Sequence, residues 1–219
     1  MIKLLGISGS RVKNGNMEAL LKEAFWHVQQ NQELQTELIY LAGKEINPCN
    51  HCNWWIKSQT EDKYCTQDDD MSAIYPKLLE ADGIIVASPS HFGRLSGSMA
   101  DLIDRSRAFI HGKVYKLPLK NKIGGAMALA FFRGGGIETT LSSLNLFFFV
   151  HQMIVANSGL YQLGAGAYTS PDGKGRFQKE PRHSVLEDEL GVLSARMLVD
   201  RVVELAQIVK AGSKTLEGK

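Results

Sequence analysis

A glycine- and serine-rich stretch near the start of the chain has the composition of an anion-binding loop. Residues 6–16 read GISGSRVKNGN and connect a short apolar run to an amphipathic segment. Small residues let backbone N–H groups turn toward an anion, Ser8, Ser10 and Asn16 add donors, and the N-terminus of a helix attracts negative charge. An ordinary turn capped by Asn16 is the alternative, but it would not require two serines, an arginine and three glycines. The stretch therefore predicts a phosphate site, although its spacing is neither a Walker loop nor GxGxxG.

Two later loops have residues that suit the edge of a flat heteroaromatic ligand. Residues 88–98 read SPSHFGRLSGS, and residues 131–140 read FFRGGGIETT. Glycines and a proline-stiffened turn let backbone N–H and C=O groups approach such a ligand closely, and Phe92 is a candidate apolar wall. The alternative for Phe92 is a core residue at a strand end. Each loop alone is typical of an ordinary turn, so this prediction depends on the loops coming together.

The cysteines of the chain are a third group of residues with chemically reactive side chains. Cys49 and Cys52 are separated by two residues, and Cys52 and Cys65 are separated by twelve. Thiolates on a short loop can converge on zinc or on an iron–sulfur cluster, but a fourth ligand is needed. His51 is next to Cys52, and adjacent side chains do not easily point at the same ion. The favoured interpretation is three reduced cysteines without a metal, with Cys49, Cys52 and Cys65 as the candidate ligands if a metal binds.

Composition narrows the class of protein. The 219 residues are 44% hydrophobic and 22% charged with a net charge of +2, which gives no electrostatic reason to expect nucleic acid or an anionic membrane as partner. An odd number of cysteines in one short stretch is poor evidence for a disulfide framework, so a reducing cytoplasm is expected. No signal peptide is apparent, and the most apolar stretch, 144–155, is too short to span a membrane.

The elements that must position these loops follow from the hydrophobic pattern. Short apolar runs predict strands, and amphipathic segments between them predict helices. Alternation of the two requires crossover connections and therefore a mostly parallel, doubly wound α/β sheet. In such sheets ligands bind at the carboxyl ends of the strands, where the loops after strands one, three and four meet. The predicted strands are 3–8, 37–41, 83–88, 123–130 and 153–157; the predicted helices begin at Asn16, follow 68–70, and span about 96–109, 137–150 and 186–210.

The same pattern predicts one domain over residues 1–219. Two connections, 43–67 and 159–184, are unusually long for a compact α/β domain. Long connections of this kind commonly have a function. They are therefore interpreted as elaborated loops of a single domain.

The three glycine-containing loops together resemble the flavodoxin-like FMN-binding proteins. Within that group they are most similar to the NAD(P)H:quinone oxidoreductases of the tryptophan-repressor-binding-protein type, the NADPH-dependent FMN reductases and the iron–sulfur flavoproteins. The first loop resembles their GSxR…GN phosphate loop, except that Met17 replaces the usual threonine and removes a hydroxyl. This resemblance implies a five-stranded parallel sheet of order 2-1-3-4-5. It also implies phosphate contacts from Ser8, Ser10, Arg11, Gly15, Asn16 and Met17.

The later loops carry the same resemblance. Residues 89–99 are similar to the family segment PTRFGNMSGQM, and residues 135–140 are similar to GGQETT. His151 resembles a histidine that reaches the flavin in the quinone reductases, and a buried core histidine is an equally favoured alternative. Residues 164–190 resemble a region that roofs the flavin pocket and builds tetramer contacts. The implied flavin contacts are Pro89, Ser90, His91, Phe92, Gly93, Arg133, Gly134, Gly135, Gly136 and His151.

The cysteine stretch resembles that of the iron–sulfur flavoproteins only in part. Their compact motif has four cysteines before an acidic run like residues 68–71, and Trp55 occupies the place of the third cysteine. An iron–sulfur cluster is therefore not expected. Trp54 and Trp55 are interpreted either as a cover for a flavin or subunit contact or as packing residues of the loop.

The resemblance implies a function. We expect an FMN-dependent oxidoreductase that transfers electrons from NAD(P)H, its co-substrate, to a quinone or another small acceptor, and that assembles as a homodimer or homotetramer. No side chain is assigned as a catalytic acid, base or nucleophile, because the flavin would supply the chemistry. Two rival hypotheses remain: a flavodoxin-type electron carrier without NAD(P)H turnover, and an interaction protein that binds a cluster or zinc through the cysteine loop.

Overall fold

Strands and helices alternate along most of the chain, of which the computed structural model describes residues 1–31, 34–170, 172–176 and 181–217. The strands are β1 (Ile2–Ser8), β2 (Leu34–Tyr40), β3 (Gly83–Pro89), β4 (Ile123–Ala130), β5 (Ile154–Ala156) and β6 (Ala165–Tyr168). The helices are α1 (Asn16–Asn31), α2 (Trp54–Ser58), α3 (Met71–Glu80), α4 (Gly97–Arg105), α5 (Ile137–Val150) and α6 (Glu189–Glu217). Short 3-10 helices at Ser106–Phe109 and Ser184–Glu187 follow α4 and precede α6.

The strands form one parallel sheet in the order β2-β1-β3-β4-β5, which confirms the predicted order. β3 pairs along one edge of β4, so β5 and β6 share the other edge. β5 pairs with residues 123–125 of β4, and β6 pairs with residues 127–130. The fifth strand position is thus filled by two short strands, and the sheet has six strands instead of the five predicted.

Both faces of the central strands β1, β3 and β4 are buried, as their apolar sequences require. Successive strand residues point to opposite faces. In β3, Ile84 and Val86 pack into one hydrophobic cluster with residues of α3, α4 and α5, whereas Ile85 and Ala87 pack into the other with residues of α1 and α6. Helices therefore cover the two faces, and only the strand ends are free to build a site.

The largest difference from the sequence prediction lies in the late connection, 159–184, which contains β6. Its sequence AGAY lacks the β-branched residues that mark strands, so the pattern concealed it. Small residues are required there: a Cβ on Gly166 would come within 2.7 Å of the Tyr161 ring and 2.8 Å of Ile137. Residues 171 and 177–180 of this connection lie outside the described part of the chain.

Other element boundaries shift by a few residues. β2 begins at Leu34 instead of residue 37, and the regular part of the third predicted helix ends at Arg105. The last helix runs from Glu189 to Glu217. Within the described ranges, no helix combines the length and hydropathy needed to cross a membrane. The division into a single domain stays a prediction.

A buried ion pair fastens the cysteine connection, 43–67, to the helices. Arg105 Nη1 lies 2.6 Å from Asp69 Oδ2, Nη2 lies 3.2 Å from Oδ1, and the two side chains are 0% and 2% exposed. Nη1 also donates to the carbonyl of Asn47 at 3.0 Å. Burial alone would raise the pKa of Asp69, but the hydrogen bonds from Arg105 and from the backbone N–H groups of Asn47 and Met71 lower it overall. The ion pair thus joins α4, α3 and the cysteine connection.

Replacing Asp69 with alanine is expected to lower the free energy of unfolding by about 3–5 kcal/mol, because it leaves the Arg105 charge buried without a partner. Urea unfolding followed by circular dichroism measures the loss. Glu80→Ala is the matched control: it breaks the exposed Lys3–Glu80 pair and should cost less than about 1 kcal/mol. Equal losses in the two variants would contradict a special role for the buried pair.

Candidate functional site

The first loop is folded by its own serine side chains. The hydroxyl oxygen of Ser8 accepts from the N–H of Ser10 at 3.4 Å, and that of Ser10 accepts from the N–H of Val12 at 3.1 Å. Gly9 lies close to α4, since a Cβ there would lie 2.8 Å from Met99 Cβ. The carbonyl of Gly9 also accepts the Ser96 hydroxyl at 2.7 Å. These contacts hold the loop against the start of α4.

The N-terminus of α1 is braced by the segment that precedes α6. The Asn16 side-chain oxygen accepts from the N–H of Val185 at 3.0 Å. His183 Nε2 donates to the Asn14 carbonyl at 3.0 Å, and the Glu18 carboxylate accepts from the Asn14 N–H at 3.0 Å. The sequence did not predict this bracing, because 169 residues separate the partners in each contact to the late segment.

The second loop is a tight turn with an exposed aromatic ring at its tip. His91 and Arg94 exchange two backbone hydrogen bonds, of 2.8 and 3.2 Å, around Phe92 and Gly93. Phe92 and Gly93 have φ values of 53° and 74°, an arrangement that is costly for a bulky residue. Phe92 is fully exposed, so the structure excludes the alternative of a core residue.

The second and third loops are in direct contact. The hydroxyl of Ser90 donates to the carbonyl of Gly135 at 2.6 Å and lies 3.2 Å from that of Gly136. Gly136 has φ 83°, and a Cβ on it would overlap the Cα of Gly93. A side chain at position 136 would therefore push the two loops apart.

A cavity of about 330 Å³ lies where the first two loops meet at the carboxyl edge of the sheet. Five of its lining residues were not predicted as contacts: Val12 and Asn14 of the first loop, and Leu129, Thr169 and Arg182. Leu129 and Thr169 lie at the carboxyl ends of β4 and β6, so recognition of β6 would have indicated Thr169. The predicted site residues that line the cavity are Ser10, Arg11, Gly15, Asn16, Met17, Pro89 and His91.

The remaining predicted contacts of the third loop lie beside this cavity. Gly135 and Gly136 meet the second loop through Ser90. Arg133 donates its backbone N–H to the carbonyl of Gly173 at 2.9 Å, and its exposed side chain packs against that glycine. Gly134 has φ 79° with open space around it.

Two of the predicted contact residues have buried side chains. The Met17 side chain is 1% exposed and packs into the cluster between the sheet, α1 and α6, so it leaves only its backbone for a ligand. His151 is also 1% exposed and does not line the cavity of the first loop. It lies at the end of α5, beneath a separate groove between α4 and α5. The apolar surroundings at the end of α5 account for its position in the core.

The tautomer of His151 follows from its hydrogen bonds. Ser106 donates its hydroxyl to the carbonyl of Ile103 at 2.6 Å, so its oxygen accepts from His151 Nε2 at 2.9 Å. Nε2 of the His151 ring therefore carries a proton. Burial lowers the pKa of His151 from 6.5 to about 4.

The cysteine residues are accessible to different degrees. Cys52 is exposed, whereas Cys49 and Cys65 are half-buried. A hydrogen bond from the Trp54 backbone lowers the pKa of Cys52, and burial opposes this effect. Among the described residues, no three His, Cys, Asp or Glu side chains form a group that could hold a metal ion. Trp55 is buried and Trp54 is partly buried against the same core cluster, as the packing interpretation of both residues expects.

Comparison with known proteins identifies the family of this chain. The family described as NADPH-dependent FMN reductase matches residues 2–167, a range that includes all three loops. The chain belongs to the NADPH-dependent FMN reductase family. This match confirms the resemblance to the NADPH-dependent FMN reductases that the loop sequences indicate. The segment that braces α1 lies beyond the part that the family match covers.

Proteins that are similar in sequence to this chain have different names. An iron-sulfur flavoprotein of Methanocaldococcus jannaschii is 36% identical over 209 residues, which are 95% of this chain and 100% of that protein. An NAD(P)H dehydrogenase (quinone) of Archaeoglobus fulgidus is 33% identical over 136 residues, which are 60% of this chain and 62% of that protein. The solved structure of the Trp repressor binding protein from Bacillus subtilis has a TM-score of 0.59 at 16% identity and covers 89% of this chain and 98% of its own. The flavodoxin-like fold is therefore shared with that protein.

Gly136→Ala is expected to weaken FMN binding about tenfold or more. The added Cβ must displace Gly93, and overpacking of this kind costs about 1–3 kcal/mol. Quenching of FMN fluorescence measures the dissociation constant. Gly159→Ala is the matched control, because Gly159 has a similar φ of 77°, an added Cβ would lie 3.9 Å from its nearest neighbour, and the residue belongs to none of the three loops. If both variants lost affinity equally, contact between the two loops would not be the cause.

The stability of the protein is expected to fall as the pH is lowered from about 6.5 to 4. In this window the unfolded chain binds a proton on His151 that the folded protein, with a pKa of about 4, does not accept. The contribution is fully present above pH 6.5 and amounts to up to about 3 kcal/mol. His151→Gln should flatten the pH dependence measured by urea unfolding, whereas His111→Gln, at an exposed position, should not. An unchanged slope in His151→Gln would contradict the assignment.

Proposed function

We propose that the protein is an FMN-dependent oxidoreductase that transfers electrons from NAD(P)H to a quinone or another small acceptor. The observation that carries the proposal is the cavity in which the phosphate-type loop and the Phe92 turn meet at the N-terminus of α1. Membership of the FMN reductase family supports the flavin, and the quinone dehydrogenase relative supports the acceptor class. When bound, FMN would supply the redox chemistry.

The residues present fit the phosphate end of FMN. The cavity is lined by Ser10, Arg11 and Gly15, which belong to a loop that leads directly into α1. Free N–H groups at the start of a 16-residue helix and a guanidinium attract a dianionic phosphate. We therefore assign phosphate binding to the first loop.

The ring end of the flavin would lie against the second and third loops. Ser90 and Gly136 hold these loops together, so their peptide groups form one rigid edge for the ring. Phe92 projects fully into solvent from the same edge. We propose that Phe92 forms one wall of the place where the nicotinamide donor and the acceptor bind in turn. The assignment of flavin contacts to Pro89, His91 and Gly93 belongs to the same proposal.

An exposed apolar stripe supports the proposed homodimer or homotetramer. Leu186, Leu190, Leu193 and Met197 follow one another at spacings of four, three and four residues, and each is at least 37% exposed. This spacing places them on one face of the last helix and the turn before it. A second copy of the chain would cover the stripe. The expectation of a cytoplasmic location stays a prediction.

Binding experiments with FMN and riboflavin test the phosphate assignment. We expect the protein to bind FMN at least about 100-fold more tightly than riboflavin, because riboflavin lacks the charge-assisted hydrogen bonds of the phosphate. Arg11→Gln should reduce this ratio about tenfold, and Arg201→Gln, which removes an exposed arginine of α6, should leave it unchanged. Equal affinity for the two flavins in the unmodified protein would contradict the phosphate site.

Turnover separates the proposed activity from its rival. The FMN-loaded protein should oxidise NADH or NADPH steadily when a soluble quinone is present. A protein that holds FMN but does not oxidise either nucleotide would favour the flavodoxin-type electron carrier.

A further inference from the structure

The residues of the cysteine connection do not fit the iron–sulfur cluster that the name of one relative implies. The relative from Methanocaldococcus jannaschii is called an iron-sulfur flavoprotein and aligns over 95% of this chain. We infer that the cysteine connection of this chain, residues 43–67, is a metal-independent structural element in which the buried side chain of Trp55 fills the position of a cluster ligand. The inference concerns residues that the proposed flavin site does not use.

The donor set is one thiolate short. Iron–sulfur clusters of the common types are held by four cysteine thiolates, and one recurring run has the spacing C-x₂-C-x₂-C. Cys49 and Cys52 match the first part of that run, and the next position is Trp55. An indole offers an N–H donor and no lone pair for iron. With three cysteines in the whole chain, no other residue of this type can replace it.

Two neighbouring groups that could serve as a fourth ligand, His51 and Asp69, already have partners. His51 Nε2 lies 2.8 Å from Arg107 Nη2, and because a guanidinium only donates, the ring lone pair is occupied. Both carboxylate oxygens of Asp69 are held by Arg105. A guanidinium beside His51 and another beside Asp69 also make these positions unfavourable for a cation.

Trp55 is built into the interior of the protein. Its side chain is 6% exposed and belongs to the core cluster with Tyr75 and Phe109. The indole stacks on His111 with ring centroids 6.4 Å apart, and the Trp55 carbonyl accepts from the N–H of Lys113 at 2.9 Å. The residue therefore contributes packing at the position where the cysteine run would continue.

The connection is held in place by contacts that need no metal. Gln59 is 1% exposed; its amide donates to the carbonyl of Ala108 at 2.9 Å, and its oxygen accepts from the N–H groups of Val114 and Tyr115 at 3.2 and 3.1 Å. Tyr64 stacks on Tyr115 with ring centroids 5.1 Å apart. Together with the Arg105 ion pair, these contacts fix both ends and the middle of the connection.

The amounts of iron and acid-labile sulfide that the protein binds test the inference. The unmodified protein, purified without oxygen and incubated with ferric iron, sulfide and a thiol reductant, should bind no more iron or sulfide than the triple variant Cys49→Ser/Cys52→Ser/Cys65→Ser. Trp55→Cys, treated in the same way, should gain iron and sulfide in equal amounts together with a broad visible absorption. Binding of iron and sulfide by the unmodified protein above the level of the triple variant would overturn the inference.

The folding of the Trp55→Cys variant must be checked separately from its iron content. Circular dichroism and FMN binding should show that Trp55→Cys is folded, and a folded Trp55→Cys that gains no iron would overturn the assignment of position 55. Independently of that variant, Trp55→Ala should lower the thermal unfolding midpoint by more than the triple serine variant does. The reverse order would contradict the packing role of Trp55. Flavin content is measured separately, so failure here is distinguishable from failure of the proposed function.

Discussion

Parallel pairing of the strands is the constraint on which the site depends. All five pairings between the named strands are parallel, so every named strand ends at the same edge of the sheet. Helices cover both faces, and the loops at that edge are the places where backbone groups remain available. The serine and glycine loop after β1 and the Phe92 turn after β3 therefore lie side by side, and the Ser96 hydroxyl joins their segments by donating to the Gly9 carbonyl. The second and third loops are joined by the hydrogen bonds of Ser90 beside Gly136.

Much of this arrangement could be predicted from the sequence because local signals carry it. Apolar runs such as β4, buried along its whole length, indicate strands of a parallel sheet, and the glycine-rich turns after them indicate where backbone must approach a ligand. β6 was missed because small residues were selected there by contact with Tyr161, which no local pattern reveals. The bracing of α1 by Val185 and His183 was missed for the same reason. Burial of Met17 and His151 depends on which helix face packs inward, and the resemblance of loop motifs did not include that information.

The two long connections are held in place by contacts to the rest of the domain. The cysteine connection is attached through Arg105 and Asp69, and Trp55 and Gln59 add packing and hydrogen bonds. The late connection adds β6 to the sheet and lines the cavity with Thr169 and Arg182. Both connections therefore stabilise the edge of the sheet at which the proposed flavin site lies. They do so with contacts between residues far apart in the chain.

A crystal structure of the protein grown with FMN would test the central claim most directly. The account predicts that the phosphate lies within hydrogen-bond distance of the backbone N–H groups between Ser10 and Asn16, with the flavin ring against the turn at Phe92 and the glycines at 134–136. A phosphate bound elsewhere, or a flavin ring directed away from the second and third loops, would contradict it.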